Sequence, residues 1–144
     1  MTLLVMLLQP PGGIFIGIGR PEMDRRVKRV IILMEQGFNQ PLSVADLAKA
    51  VNLSPGRLCH IFKSETNVAL LHYLRALRME QAKRLLQTTF MTVKEVMIEV
   101  GVRDESHFVR DFESTFGVSP ARFRLSLDIE NGPATELTAE LAKR

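Results

Sequence analysis

Cys59 and His60 stand side by side, and a thiol next to an imidazole is the pair in this chain that first suggests chemistry. Together they could ligate a metal ion. The ligand set is not completed. Adjacent residues of a helix point ~100° apart. The other two histidines, His72 and His107, bring no paired ligand spacing. No metal and no cofactor are expected. No Ser-His-Asp order, glycine-rich phosphate loop or acidic pair points to an enzyme. Cys59 is the single cysteine, so an intrachain disulfide and a CxxC motif are both excluded. That cysteine usage points to a reducing, cytoplasmic setting. Two readings of Cys59 stay open: a redox-sensitive thiol near the positive end of a helix, or a small residue on a working surface.

The remaining chemistry is charge. The chain holds 19 Lys and Arg against 16 Asp and Glu, a formal net charge of +3 and a pI near 9.4. The excess is uneven. Residues 20–127 carry 17 basic and 12 acidic side chains, whereas residues 128–144 carry 2 and 4. A basic body with an acidic tail fits a nucleic-acid partner. With 46% hydrophobic residues the chain can build a packed core, which excludes a disordered polyelectrolyte.

Those charges need elements to hold them, and residues 21–127 read as helices. Pro21 suits a first turn, and Val27, Val30, Ile31 and Met34 recur at helical spacing up to Gly37. Ser43-Val44-Ala45-Asp46 resembles a capping box with Asp in place of Glu or Gln. Asn52-Leu53 is a turn, and Ser54-Pro55 starts another helix that carries Leu58, Ile61 and Phe62 to a stop at Asn67. Val68 to Gln87 reads as one long helix, broken by Thr88-Thr89. Thr92-Val93-Lys94-Glu95 is a full capping box. Asp104 caps a helix with Phe108, Phe112 and Phe116, and Ser119-Pro120 caps a last one. The expected fold is all-α, with about seven helices. Residues 1–20 are an apolar stub or a remnant of an upstream region. They lack the basic start of a secretory signal, and Gln9-Pro10-Pro11-Gly12-Gly13 interrupts any membrane span.

The chain also repeats itself. Ser43, Val44, Asp46, Leu47, Val51 and Leu53 match Thr92, Val93, Glu95, Val96, Val100 and Val102 at an offset of 49. One extra residue in the second turn then aligns Leu58 with Phe108 and Phe62 with Phe112. A capped helix, a short turn and a second capped helix make the helix-turn-helix layout, here at 43–66 and 92–116. Successive major-groove faces on one side of B-DNA lie ~34 Å apart, and a helix of about 20 residues spans ~30 Å. The 68–87 helix could therefore hold two reading heads one DNA turn apart in a single chain. On the repeat alone, a helical bundle with duplicated hairpins is the competing reading.

The residues of the two units resemble the AraC/XylS family of bacterial transcription regulators over roughly Asp24 to Arg124. The resemblance is carried by Leu42-Ser43-Val44-Ala45-Asp46-Leu47-Ala48, Leu53-Ser54-Pro55 and Phe62-Lys63-Ser64-Glu65-Thr66. It continues through Tyr73-Leu74 and Leu77-Arg78-Met79-Glu80-Gln81-Ala82-Lys83-Arg84-Leu85-Leu86. In the second unit it rests on Val96, Val100-Gly101, Ser106-His107-Phe108, Arg110, Phe112, Phe116-Gly117-Val118-Ser119-Pro120 and Phe123-Arg124. Asn52 and Asn67 stand where the family commonly has glycine, and Val102 where it commonly has phenylalanine.

The resemblance implies transcription control, as activator or repressor, by sequence-specific binding of double-stranded DNA. RNA polymerase is a second candidate partner, and no membrane is involved. It places base contacts at Gly56, Arg57, Cys59 and His60 in the first recognition helix, and at Glu105, Ser106, Val109 and Arg110 in the second. Arg110 suits guanine, Val109 a thymine methyl and Glu105 a cytosine amine. Glu105 can equally be a first-turn acid, and Arg110 a solvated charge. Candidate phosphate contacts are Ser54, Lys63, Arg103, Arg122 and Arg124, besides Arg57 and Arg110. Arg75, Arg78, Lys83 and Arg84 of the long helix divide between phosphate contact and solubility. One chain can act as a monomer on DNA, or as a dimer if an upstream domain exists. Gly56 and Cys59 are poor readers of bases, which motivates a second reading: an interaction module that keeps the fold without reading DNA.

Overall fold

The computed structural model describes residues 22–130. The stub of residues 1–20, Pro21 and the segment after Glu130 lie outside the described residues. Seven helices are present among them: α1 (Arg25–Gly37), α2 (Val44–Ala50), α3 (Pro55–Thr66), α4 (Leu70–Thr88), α5 (Val93–Glu99), α6 (Glu105–Phe116) and α7 (Pro120–Glu130). No strand occurs among the described residues. The all-α expectation holds, as do the two helix-turn-helix units and the long helix between them.

Capping chemistry sets the starts. Asp24 accepts the Arg26 N–H at 2.8 Å ahead of α1. Ser54 accepts the Arg57 N–H at 3.3 Å ahead of α3, and Asp104 the His107 N–H at 2.8 Å ahead of α6. The two boxes of the repeat differ. Glu95 reaches the Thr92 N–H at 2.7 Å and closes a full capping box. Asp46 is one methylene shorter, and its carboxylate takes the Ser43 hydroxyl at 2.5 Å instead.

Helix ends use the left-handed region. Asn67 (φ 61°) and Gly117 (φ 78°) close α3 and α6, donating to Lys63 and Glu113 carbonyls. Asparagine serves because its short amide side chain tolerates positive φ. The long helix begins two residues later than Val68. The Thr66 hydroxyl accepts the Val68 N–H at 3.2 Å and donates to the Phe62 carbonyl at 2.8 Å, which holds Val68 and Ala69 outside the helix.

Two apolar cores share α4. Val27, Val30, Ile31 and Met34 of α1 meet Leu47, Leu58 and Phe62, and the N-terminal half of α4 covers them with Leu70, Tyr73, Leu74 and Leu77. Met79, Ala82 and Leu86 of its C-terminal half join Val96, Met97, Val100, Phe108 and Phe112. At ~100° per residue these two α4 sets fall on nearly opposite faces. The helix therefore shows no single apolar stripe, and each unit packs on its own half and its own side. Phe62 meets Tyr73 edge-on at 5.6 Å, while Phe112 gathers Phe108, Phe116 and Phe123 within 6.1 Å.

Candidate nucleic-acid interface

The buried residues of each second helix fix what it leaves outside. In α6, Phe108 and Phe112 are fully buried. The opposite side carries Glu105, Ser106, Val109, Arg110 and Glu113, which together line one shallow surface depression. All four residues expected to meet bases from this helix thus lie on one continuous stripe. Glu113 completes the stripe and was not expected. Its spacing of four from Val109 and eight from Glu105 is the signal that marks it.

In α3, Leu58 and Phe62 are fully buried, and Gly56, Arg57, Cys59, His60 and Lys63 are exposed. The repeat offset of 50 maps the α6 stripe onto Pro55, Gly56, Cys59, His60 and Lys63. Lys63 therefore sits at the position of Glu113, at the far end of the stripe. Arg57 sits at the position of His107, beside the stripe at the helix start. The two stripes differ in kind. That of α6 offers two carboxylates and a guanidinium, whereas that of α3 offers an imidazole and an ammonium.

Side-chain caps occupy the helix starts. The Asp104 carboxyl is held below its ordinary range, chiefly because it accepts the His107 N–H. His107 Nδ1 lies 3.2 Å from the same carboxylate, and both side chains are exposed. The histidine thus hydrogen-bonds near the second turn. Ser54 and Ser119 cap α3 and α7 through the Arg57 and Arg122 N–H groups. Arg103 and Arg122 are exposed at the starts of α6 and α7.

Arg124, expected at a phosphate, is turned toward the fold. Its guanidinium is directed inward and donates to the Thr89 carbonyl at 3.0 Å and the Met91 carbonyl at 2.6 Å. It anchors the α4–α5 connector, and its Nε is buried with no hydrogen-bond partner. Both terminal nitrogens of the guanidinium are thus engaged with backbone carbonyls. The basic residues of α4 are also largely structural. Arg78 donates to the Phe38 and Gln40 carbonyls, Arg75 pairs with Asp111 at 3.4 Å, and Lys83 lies 4.9 Å from the Phe116 ring centroid. Arg84 is exposed.

A family profile described as a helix-turn-helix domain matches residues 47–126. The arabinose operon regulatory protein of Escherichia coli K12 is 35% identical over 105 residues, covering 72% of this chain and 36% of that protein. A Chromobacterium violaceum transcriptional regulator, described by its AraC-type DNA-binding domain, superposes with a TM-score of 0.66 at 26% identity, over 71% of this chain and 91% of that one. The chain belongs to the AraC/XylS family. The DNA-binding domain of AdpA, a global transcriptional factor solved in complex with a target DNA, superposes with a TM-score of 0.69 at 28% identity, over 73% of this chain and 95% of that domain. The chain spans little more than a third of the length of the AraC-family relatives it first matches. Among the described residues no helix is long and apolar enough to cross a membrane.

Proposed function

We propose that this chain is a sequence-specific DNA-binding transcription regulator, in which α3 and α6 enter two adjacent major-groove segments of one duplex. The observation that carries the reading is the pair of repeat-related exposed stripes. Each lies on the second helix of a helix-turn-helix unit, opposite a phenylalanine-anchored face. The likeness to a DNA-binding domain solved on its target DNA supports it. In that placement Glu105, Ser106, Val109 and Arg110 meet base edges from α6, and His60 with Arg57 does most of the reading from α3. Gly56 and Cys59 allow close approach and add little discrimination. Ser54, Lys63, Arg103 and Arg122 meet phosphates. The cytoplasm is the compartment where a bacterial regulator of this kind meets its DNA and RNA polymerase.

Selection from a random duplex library, followed by gel-shift titration against salt, tests the proposal. A two-part motif with steeply salt-dependent affinity is expected, because each neutralised phosphate releases counterions. A library that enriches no motif, with a protein partner co-purifying instead, would support the interaction-module reading.

A further inference from the structure

Three contacts converge on the short connector between α1 and α2, and none of them belongs to the first unit alone. Arg78, midway along α4, donates through Nε to the Phe38 carbonyl at 2.7 Å and through Nη2 to the Gln40 carbonyl at 3.0 Å. The Phe38 side chain packs against both apolar cores. Between those two carbonyls, the Asn39 backbone rests on Gly101 in the turn of the second unit. A Cβ at Gly101 would lie 2.7 Å from the Asn39 carbonyl oxygen and 2.9 Å from its Cα.

The connector is also internally rigid. The Gln40 N–H donates to the Gly37 carbonyl at 3.0 Å and the Leu42 N–H to the Gln40 carbonyl at 2.8 Å. A planar guanidinium that grips two carbonyls fixes orientation as well as distance. Arg75 and Asp111 add a link from the same stretch of α4 to α6.

We propose that residues 38–40 form a strut, clamped by Arg78 and seated on Gly101, that fixes the separation of the two recognition helices. Arg78 is then a positioning residue for operator spacing. It touches no DNA, yet it decides which distance between two base-pair segments the protein accepts. The operator part rests on the DNA-reading proposal above, whereas the strut itself does not.

The first test therefore uses no DNA. Cys59 on α3 is exposed and is the single cysteine, so Ser114→Cys on α6 gives a pair of spin-label sites. The 59–114 distance distribution should be narrow in the parent chain and at least twofold broader in Arg78→Ala. Arg78→Lys, which keeps the charge and one donor, is the milder companion and should fall between them. Unchanged widths in both variants would overturn the strut.

The second test takes the duplex enriched from a random library and inserts or removes one base pair between its two segments. The parent should lose at least tenfold in affinity and Arg78→Ala less than threefold. Equal penalties would overturn the spacing role. A library without a motif would refute DNA reading and the spacing role with it, while the label distances decide the strut separately.

Discussion

Asn52 and Gly101 take the same left-handed turn in the two units, at φ 56° and φ 81°, and a Cβ at Gly101 would press against the Asn39 backbone. The repeat makes them equivalents. The first turn accepts an asparagine side chain, which is exposed. The second admits none.

Glycine substitutions should therefore separate sharply. Gly101→Ala combines a strained φ with a backbone clash, and each typically costs 1–3 kcal/mol. Urea unfolding should show a loss of about 3 kcal/mol. Gly117 has the same sign of φ but open space around a Cβ. Gly117→Asn, the residue type already present at the equivalent Asn67, should cost less than about 1 kcal/mol. Equal losses would show that φ alone governs both sites.

Arg124→Ala should act on stability rather than on DNA. The change removes two charged hydrogen bonds to the α4–α5 connector. With partial exposure, about 2 kcal/mol is expected. The slope of log affinity against log salt should stay unchanged. A slope reduced by about 1 would restore Arg124 to the phosphate contacts.

Arg110 and Lys63 should fail in different ways. Arg110→Ala should relax preference at one base pair, by about 1–3 kcal/mol between best and worst base. Lys63→Ala should weaken all duplexes alike and lower the salt slope by about 1. Both are read from selections and salt titrations, and one uniform loss from both variants would contradict the assignment.

Cys59 supplies a footprint. A bulky maleimide on this exposed thiol should abolish duplex binding, and bound operator should slow its labelling at least tenfold. Cys59→Ser should bind DNA and resist the reagent. Labelling at the same rate with and without operator would place α3 outside the groove.

Acid should destabilise the helix starts. Asp24 is held from an ordinary 3.8 down to about 2, chiefly by its side-chain hydrogen bond with Arg26, and Asp104 is also lowered. A carboxylate with a depressed native pKa contributes stability that is fully present above the unfolded value. For Asp24 that contribution fades as pH falls from about 4 to about 2. Asp24→Asn and Asp104→Asn keep a capping side chain but remove the titration. Their urea midpoints should fall less steeply than the parent's over this window.

Local chemistry was legible in the chain. Ser, Thr and Asp caps, asparagines at positive φ and phenylalanines four apart are decided within a few residues, so helix number, order and approximate ends could be read directly. The exposed faces of α3 and α6 followed, because burying Leu58, Phe62, Phe108 and Phe112 dictates what turns outward. The start of α4 did not follow, since it depends on the Thr66 hydroxyl choosing Val68.

An arginine's role was the least legible feature. Arg78, Arg110 and Arg124 are the same residue type on helices of the same protein. One grips a connector, one lines the outer stripe and one anchors a loop, and only the arrangement of distant segments separates them. A long flexible side chain satisfies whichever carbonyl or solvent lies within reach. The sequence by itself determined two equivalent reading units and the helix between them. Tertiary structure decided which cations are engaged by the fold and which stay exposed, and seated Asn39 on Gly101, because contacts between backbones remote in the chain leave no mark on residue type beyond the one glycine they require.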